Sequence, residues 1–253
     1  MIYDVQRAGM LKRISAWLLD AILLLVLATG AMAGLAYLLD LDTHSQELTA
    51  IYDRYEKEYN ITYSITQEQL EKLTDEQMAA YQAANEALGK DTHAQAVYER
   101  LVNASLLTVS IGLLAAFVIL ELIIPLLLKN GQTLGKKAFG LALVRKDCVR
   151  VTPFMLFART VLGKYTVETM LPVLLLMLLF FGLFGSLGTS ILMIFLVIHV
   201  LLPMITRNHS AIHDYMACTV VVDFNSQMIF ASADELLEYK KRVQAEAANK
   251  ADY

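Results

Sequence analysis

The chain has 253 residues, of which 57% are hydrophobic and 18% charged, and its mean hydropathy is +0.49. A soluble domain carries about 25% charged residues, so this composition excludes an ordinary soluble protein and indicates that long apolar segments lie in lipid. The net charge of −4 at pH 7 identifies no partner, because acidic and basic residues lie in different parts of the chain.

The first apolar segment, about residues 14–39, is predicted to be a transmembrane helix, since about 20 apolar residues cross a hydrocarbon core. A signal peptide is the alternative, because basic residues precede the segment and Ala31-Met32-Ala33 resembles a cleavage site. The segment is too long for a signal peptide and contains Asp20, so a retained helix is preferred. A carboxylate inside a span costs about 3 kcal/mol, which makes Asp20 a candidate functional residue.

A polar segment follows, with thirteen acidic and five basic residues between Asp40 and Asn103. Tyr52, Tyr55 and Tyr59 recur three and four residues apart, which is typical of one face of a helix. We interpret this tyrosine stripe as a packing seam between helices rather than as a binding face. A second helix is predicted from an N-cap at Thr66 onward.

The second span is predicted at about residues 104–128 and contains Glu121. A basic connection follows, from Lys129 to Val151. Leu141–Arg145 and Thr219–Asp223 are predicted to be short strands, which either pair with each other or fold back on residues 149–151.

Residues 152–168 are predicted to form an amphipathic helix, with Thr152 as its N-cap and Pro153 at its first position. This helix either lies in the membrane interface or begins the third span. The following apolar tract is too long for one helix. Its Gly185–Ser190 cluster is a turn signal, which divides the tract into spans of about residues 169–185 and 190–206.

Basic residues flank the first, second and fourth spans on one side, so we expect both termini to be cytoplasmic. The predicted fold class is an all-α membrane protein with four transmembrane helices, a helical external insertion, an interfacial amphipathic helix and short cytoplasmic β-strands. Four regions follow along the chain: 1–39 (N-terminal segment and first span), 40–103 (external helices), 104–206 (second to fourth spans) and 207–253 (strand and charged helical tail).

Asp20, Glu121 and His199 are predicted to lie at a similar depth, about 10–12 Å from the cytoplasmic ends of their spans at 1.5 Å per residue. Together they would form a proton or cation site, and burial would raise the pKa values of the carboxylates. The alternative is that each group is neutralised separately: Asp20 by Arg13 or Lys12, and His199 by its surroundings in the core.

Asp214 is predicted to be a buried anchor that pairs with Arg13 or Lys136 or accepts backbone hydrogen bonds. Arg159 is assigned to the same structural charge network. Lys129 and Lys137 are expected to contact anionic headgroups at the membrane surface. The His213–Asp214 pair has no third ligand at suitable spacing, so we expect neither a metal nor a cofactor. We also expect no disulfide, since both cysteines fall in segments placed in the cytoplasm.

Three motifs resemble the RDD family of membrane proteins, which is named for an arginine and two aspartates. They are Arg13 with Asp20 in the first span, the Gly-Gln-Thr-Leu-Gly-Lys-Lys run at 131–137, and the Arg-Asn-His-Ser-Ala-Ile-His-Asp run at 207–214. The resemblance implies that Arg13, Asp20 and Asp214 are the family's named residues. One departure is Cys218, where the family usually has glycine. The glycine–lysine run does not fit a phosphate-binding loop, which needs four residues between its glycines.

The resemblance implies movement of a small solute, for which cation/proton exchange is one proposed reaction, with Asp20 and Glu121 as the exchangeable site. Four short spans would need a homodimer or a larger assembly to enclose a path. The alternative is a membrane scaffold or assembly factor that binds a protein partner through residues 45–98. We expect no enzyme and no nucleic-acid partner, and a location in a bacterial cell membrane.

Overall fold

The computed structural model describes residues 5–6, 8–128, 130–182, 185–206 and 210–251. Lys129, which was predicted to contact headgroups, lies outside the described residues, as does Arg207 of the third motif. Within the described part, the chain is mostly helical and contains one two-stranded sheet. The predicted fold class is therefore confirmed in its coarse form, that of a mainly helical membrane protein.

Three helices are long and apolar enough to cross a membrane: α1 (Met10–Leu38), α5 (Thr92–Leu127) and α7 (Pro153–Phe180). A further helix, α8 (Ser186–Ile205), is strongly apolar, but its apolar stretch, Ser186–Leu202, is shorter than those of the other three helices. The count of four spans stays a prediction.

The helix predicted over residues 152–168 continues further, because α7 is one continuous helix from Pro153 to Phe180. Thr152 caps it by accepting a hydrogen bond from the Met155 backbone N–H, at 3.3 Å, and Pro153 occupies the first turn, as predicted. Residues 153–168 are thus not a separate helix, and their location in the interface or in the third span stays a prediction. These residues join the apolar Leu171–Phe180 segment without a break.

Both α5 and α7 contain π-helical segments, at Val118–Ile123 and Ala158–Met170. The two segments meet where the Thr160 hydroxyl donates to the Glu121 backbone carbonyl, at 2.8 Å. A π-helix shifts the backbone hydrogen bonds by one residue, and such segments are frequent at functional sites. They also carry most of the charged residues of these helices.

A small two-stranded sheet shares an apolar core with α1 and α7. Strands β1 (Leu141–Arg145) and β2 (Thr219–Asp223) pair antiparallel, with Leu143 opposite Val221. Val144 also bridges to Arg150, so both predicted pairings occur. Two short helices precede the strands: α6 (Leu134–Ala138) before β1 and α9 (Ile212–Met216) before β2. The predicted tail helix is present as α10 (Ala233–Ala251).

The chain divides into two compact units, Met1–Ala31 with Gly112–Tyr253, and Met32–Ile111. The second unit contains α2 (Leu41–Tyr59), α3 (Gln67–Leu70) and α4 (Asp75–Lys90). The predicted tyrosine stripe packs inside it: Tyr55 is buried in its core, and Tyr52 and Tyr59 pack against that core. The stripe is therefore a packing seam within this unit.

Candidate functional site: a buried charge network

The carboxylate of Asp20 is held by the turn that begins α6. Its Oδ1 accepts the backbone N–H of Gly135 at 2.7 Å, and its Oδ2 accepts the hydroxyl of Thr133. Nζ of Lys136 lies 3.7 Å from Oδ2. Asp20 in the first helix is therefore bound to the Gly-Gln-Thr-Leu-Gly-Lys run, the most specific motif of the sequence.

Lys136 is a buried cation with an unusual environment. Only 7% of the residue is exposed, and its Nζ also contacts the Thr133 hydroxyl at 3.1 Å. Burial lowers the pKa of Lys136 to about 8, because desolvation outweighs the attraction of Glu121 and Asp20. Lys136 is thus an amine that can release its proton near neutral pH, beside a carboxylate.

Glu121 lies in the π-helical segment of α5 and is 6% exposed. Its Oε1 accepts from Nζ of Lys164 at 2.5 Å. Its Oε2 has no hydrogen-bond partner among the described residues and lies 4.0 Å from Nη1 of Arg159. One oxygen of this buried carboxylate is therefore open to a new donor.

Arg159, 3% exposed, joins α7 to α9 through Asp214. Its Nε and Nη2 both lie 3.0 Å from Oδ1 of Asp214, which also accepts the hydroxyl of Thr219 at 3.2 Å. Burial acts to raise the pKa of Asp214, but the Arg159 guanidinium together with the charges of His213 and Lys136 outweighs burial and holds that pKa well below its usual range. The hydrogen-bonded cation of Asp214 is Arg159, rather than the predicted Arg13 or Lys136.

His213 extends the network to Glu168. Its Nδ1 lies 2.6 Å from Oε2 of Glu168, and its backbone N–H donates to Oε1 at 2.8 Å. On the other side of the ring, Nε2 lies 2.9 Å from Nη2 of Arg159 and 3.6 Å from Oδ2 of Asp214. Burial lowers the pKa of His213, which favours the neutral ring.

The remaining predicted residues lie around this network. His199 stacks on Phe195 and acts electrostatically on Glu168, and its Nδ1 is buried without a hydrogen-bond partner in the described part of the chain. The Arg13 guanidinium donates to the backbone carbonyl of Val221, which ties the first helix to β2. Lys137 is exposed, as a surface lysine would be.

Sequence reasoning did not identify two members of this network as buried partners, Lys164 and Glu168. The helix that carries them was predicted to be amphipathic and either to lie in the interface or to begin the third span. Three acidic or basic residues in an otherwise apolar helix are a signal for buried partners elsewhere, since isolated charges in the membrane are costly. Among the described residues, no group of three or more histidine, cysteine or acidic side chains is arranged to hold a metal.

A family model described as the RDD family matches residues 7–218 of the chain. That range includes every charged residue of the network. No curated protein and no solved structure matches the chain.

Proposed function

The chain belongs to the RDD family of membrane proteins, and we propose that it moves a small cation across the membrane in exchange for protons, with Asp20 as the cation-binding carboxylate. The observation that carries this proposal is the pair of the part-buried Asp20 and the buried Lys136, in which Nζ and Oδ2 are 3.7 Å apart.

The pair provides a way to couple the two ions. A protonated Lys136 supplies the positive charge that balances the part-buried Asp20. When Lys136 releases its proton, Asp20 is left without that charge, and a small cation can replace it. A pKa of about 8 for Lys136 places this release within the range of cellular pH. One proton leaves as one cation binds, so the buried charge stays constant through the exchange.

Glu121 and His199 complete the site in this proposal. Glu121 attracts the ammonium of Lys136 and is itself balanced by Lys164, so it sets the charge against which the lysine titrates. His199, whose Nδ1 has no hydrogen-bond partner among the described residues and whose ring acts electrostatically on Glu168, serves as a further proton acceptor at the other end of the network.

We further propose a four-span topology with both termini on the cytoplasmic side and a homodimer or larger assembly. Basic residues next to the spans support this orientation. The length of the α8 helix, 20 residues, supports its role as the fourth span.

The exchange is tested in vesicles of purified lipid that contain the full chain and a trapped pH dye. Addition of Na⁺ or K⁺ outside should move protons out and raise the internal pH. Asp20→Asn should abolish this change. The variant should still fold, because the amide oxygen can accept from Gly135 and the amide nitrogen can donate to Thr133.

The matched control is Asp147→Asn, which removes the same charge from an exposed ion pair with Arg145, 2.7 Å long. It should exchange like the unaltered protein. Equal exchange by Asp20→Asn and by the unaltered protein would contradict the proposal.

A membrane scaffold is the second candidate, supported by the Met32–Ile111 unit. This unit has its own core, built on Leu48, Ile51, Tyr55, Ala94 and Val97, and the segment from Asp40 to Asn103 carries thirteen acids against five bases. Deletion of residues 45–98 separates the candidates. Exchange should survive the deletion if the protein is a transporter. A scaffold would show no exchange in either form, and would lose a basic protein partner on deletion.

A further inference from the structure

The contacts of His213 determine which of its ring nitrogens carries the proton. An arginine guanidinium has donors and no acceptor. Since Nη2 of Arg159 lies 2.9 Å from Nε2, that nitrogen must be the acceptor and carry no hydrogen. Nδ1, 2.6 Å from the Glu168 carboxylate, must therefore be the donor. The described conformation thus requires a neutral His213 with its hydrogen on Nδ1.

Protonation of Nε2 cannot be accommodated by these contacts. It would place an N–H group directly against the N–H of Arg159. The ring itself has little room to withdraw, because a Cβ at Gly163 would lie 2.6 Å from Cβ of His213, so α9 is packed closely onto α7 at this point. The guanidinium is therefore the part that must move.

The network has acceptors for both displaced donors. Oδ2 of Asp214, 3.6 Å from Nε2, can accept the new N–H of the ring. Oε2 of Glu121, which has no hydrogen-bond partner among the described residues, lies 4.0 Å from Nη1 of Arg159. A rotation of the guanidinium toward Glu121 would therefore replace the lost contact with a charge-assisted one.

We propose that His213 is a proton-binding site that switches Arg159 between two partners: His213 when the ring is neutral, and Glu121 when the ring is protonated. The proton is taken from water at Nε2, and no other bond changes. This switch goes beyond the exchange proposed above, because it assigns proton binding to a residue outside the Asp20–Lys136 pair.

The charged groups around His213 favour a switch that operates below the ordinary pKa of an imidazole, about 6.5. Burial lowers the pKa of His213, and so do the cations of Arg159 and Lys164, while Asp214 and Glu168 raise it. His199 on α8 interacts electrostatically with the same Glu168 carboxylate. The positive charge of Lys136 interacts electrostatically with Asp214. Asp214 and Glu168 allow His213 to be protonated, because their negative charges balance the positive charge of the protonated ring.

The experiment is ¹⁵N NMR of the full chain in lipid, with labelled histidine, and with the His213 signals assigned by their loss in His213→Gln. At pH 8 we expect the hydrogen of His213 on Nδ1. On acidification Nε2 should become protonated. In a sample with labelled arginine and glutamate, the Arg159 Cζ to Glu121 Cδ distance should shorten over the same pH range.

Two variants test whether the movement of Arg159 depends on His213 and on Glu121. In His213→Gln the Arg159–Glu121 distance should no longer depend on pH. In Glu121→Gln protonation of His213 should require a lower pH, because the charged acceptor for Arg159 is gone. A hydrogen on Nε2 at pH 8, or an unchanged Arg159–Glu121 distance after His213 is protonated, would overturn the proposal. Asp20→Asn should keep the switch, so a failure of cation exchange and a failure of the switch are distinguishable.

Discussion

Gly135 on α6 approaches the backbone of α1 so closely that a Cβ on it would lie 2.2 Å from the Ala16 carbonyl oxygen and 2.8 Å from Oδ1 of Asp20. Carbon atoms do not approach oxygen that closely, so only glycine fits without a shift of one helix. This approach is what allows the Gly135 N–H to reach the Asp20 carboxylate, at 2.7 Å. The absence of a side chain at Gly135 is therefore required for the hydrogen bond that holds Asp20.

Gly135→Ala is expected to destabilise the protein by about 1–3 kcal/mol, the usual cost of overpacking. It should also weaken exchange, since α6 would move away from Asp20. Thermal unfolding in detergent measures the first effect, and the vesicle assay the second. Gly30→Ala is the control: it adds the same methyl group to α1 where no atom lies within 4 Å. Equal unfolding temperatures for the two variants would contradict the expected clash.

Cys218 adopts φ +51°, the left-handed conformation that costs a residue with a side chain about 1–2 kcal/mol and glycine almost nothing. The glycine that the family usually has here therefore suits the turn between α9 and β2. Cys218→Gly should raise the unfolding temperature, since the cysteine is exposed and little packing is lost. Cys218→Val should lower it. If Cys218→Gly lowered the unfolding temperature as Cys218→Val does, backbone strain at this position would not explain the change in stability.

The Arg159–Asp214 pair is expected to be essential for stability. Removal of one partner of a buried pair costs about 3–5 kcal/mol, because a charge is left unpaired. Asp214→Asn should therefore lower the unfolding temperature strongly. Asp223→Asn, which removes the same charge from a half-exposed pair with Lys12, should have a small effect. Similar losses for both variants would show that burial does not decide the cost.

The same pair predicts the acid sensitivity of the fold. The pKa of Asp214 is held well below its usual range by Arg159, against the opposing effect of burial. A carboxylate with a depressed pKa contributes stability above its ordinary pKa, about 4, and this contribution is lost as the pH falls below it. The unfolding temperature should decline below about pH 4 in the unaltered protein. The decline should be smaller in Asp214→Asn, and an identical decline would assign acid sensitivity to other groups.

The sequence was sufficient for much of the fold. The caps at Thr152 and the paired strands at 141–145 and 219–223 follow from local patterns, and the structure has them where they were predicted. Asp20 stood out because a carboxylate in an apolar helix is costly. These features depend on residues close together in the chain or on composition alone.

The partners within the network were harder to predict. A regular α-helix has 3.6 residues per turn, so it would place Lys164 and Glu168 on the side of the helix opposite Arg159. In the structure the π-helical segment of α7 carries them, and they bind Asp214, Glu121 and His213. Such contacts between residues 43 to 55 positions apart depend on packing, which no local pattern encodes.

The last prediction concerns the proton carried by Lys136. Exchange should increase as the pH rises through about 8, where Lys136 loses its proton and Asp20 becomes free to bind a cation. Lys136→Arg should insert and fold but exchange poorly, since a guanidinium stays protonated. Lys136→Gln should lose the proton exchange, since glutamine has no proton to release. The matched controls are the same substitutions at the neighbouring exposed residue, Lys137, which should leave the pH profile unchanged. If Lys136→Arg exchanged with the unaltered pH profile, the proton would have to come from another group, and the coupling through the Asp20–Lys136 pair would be wrong.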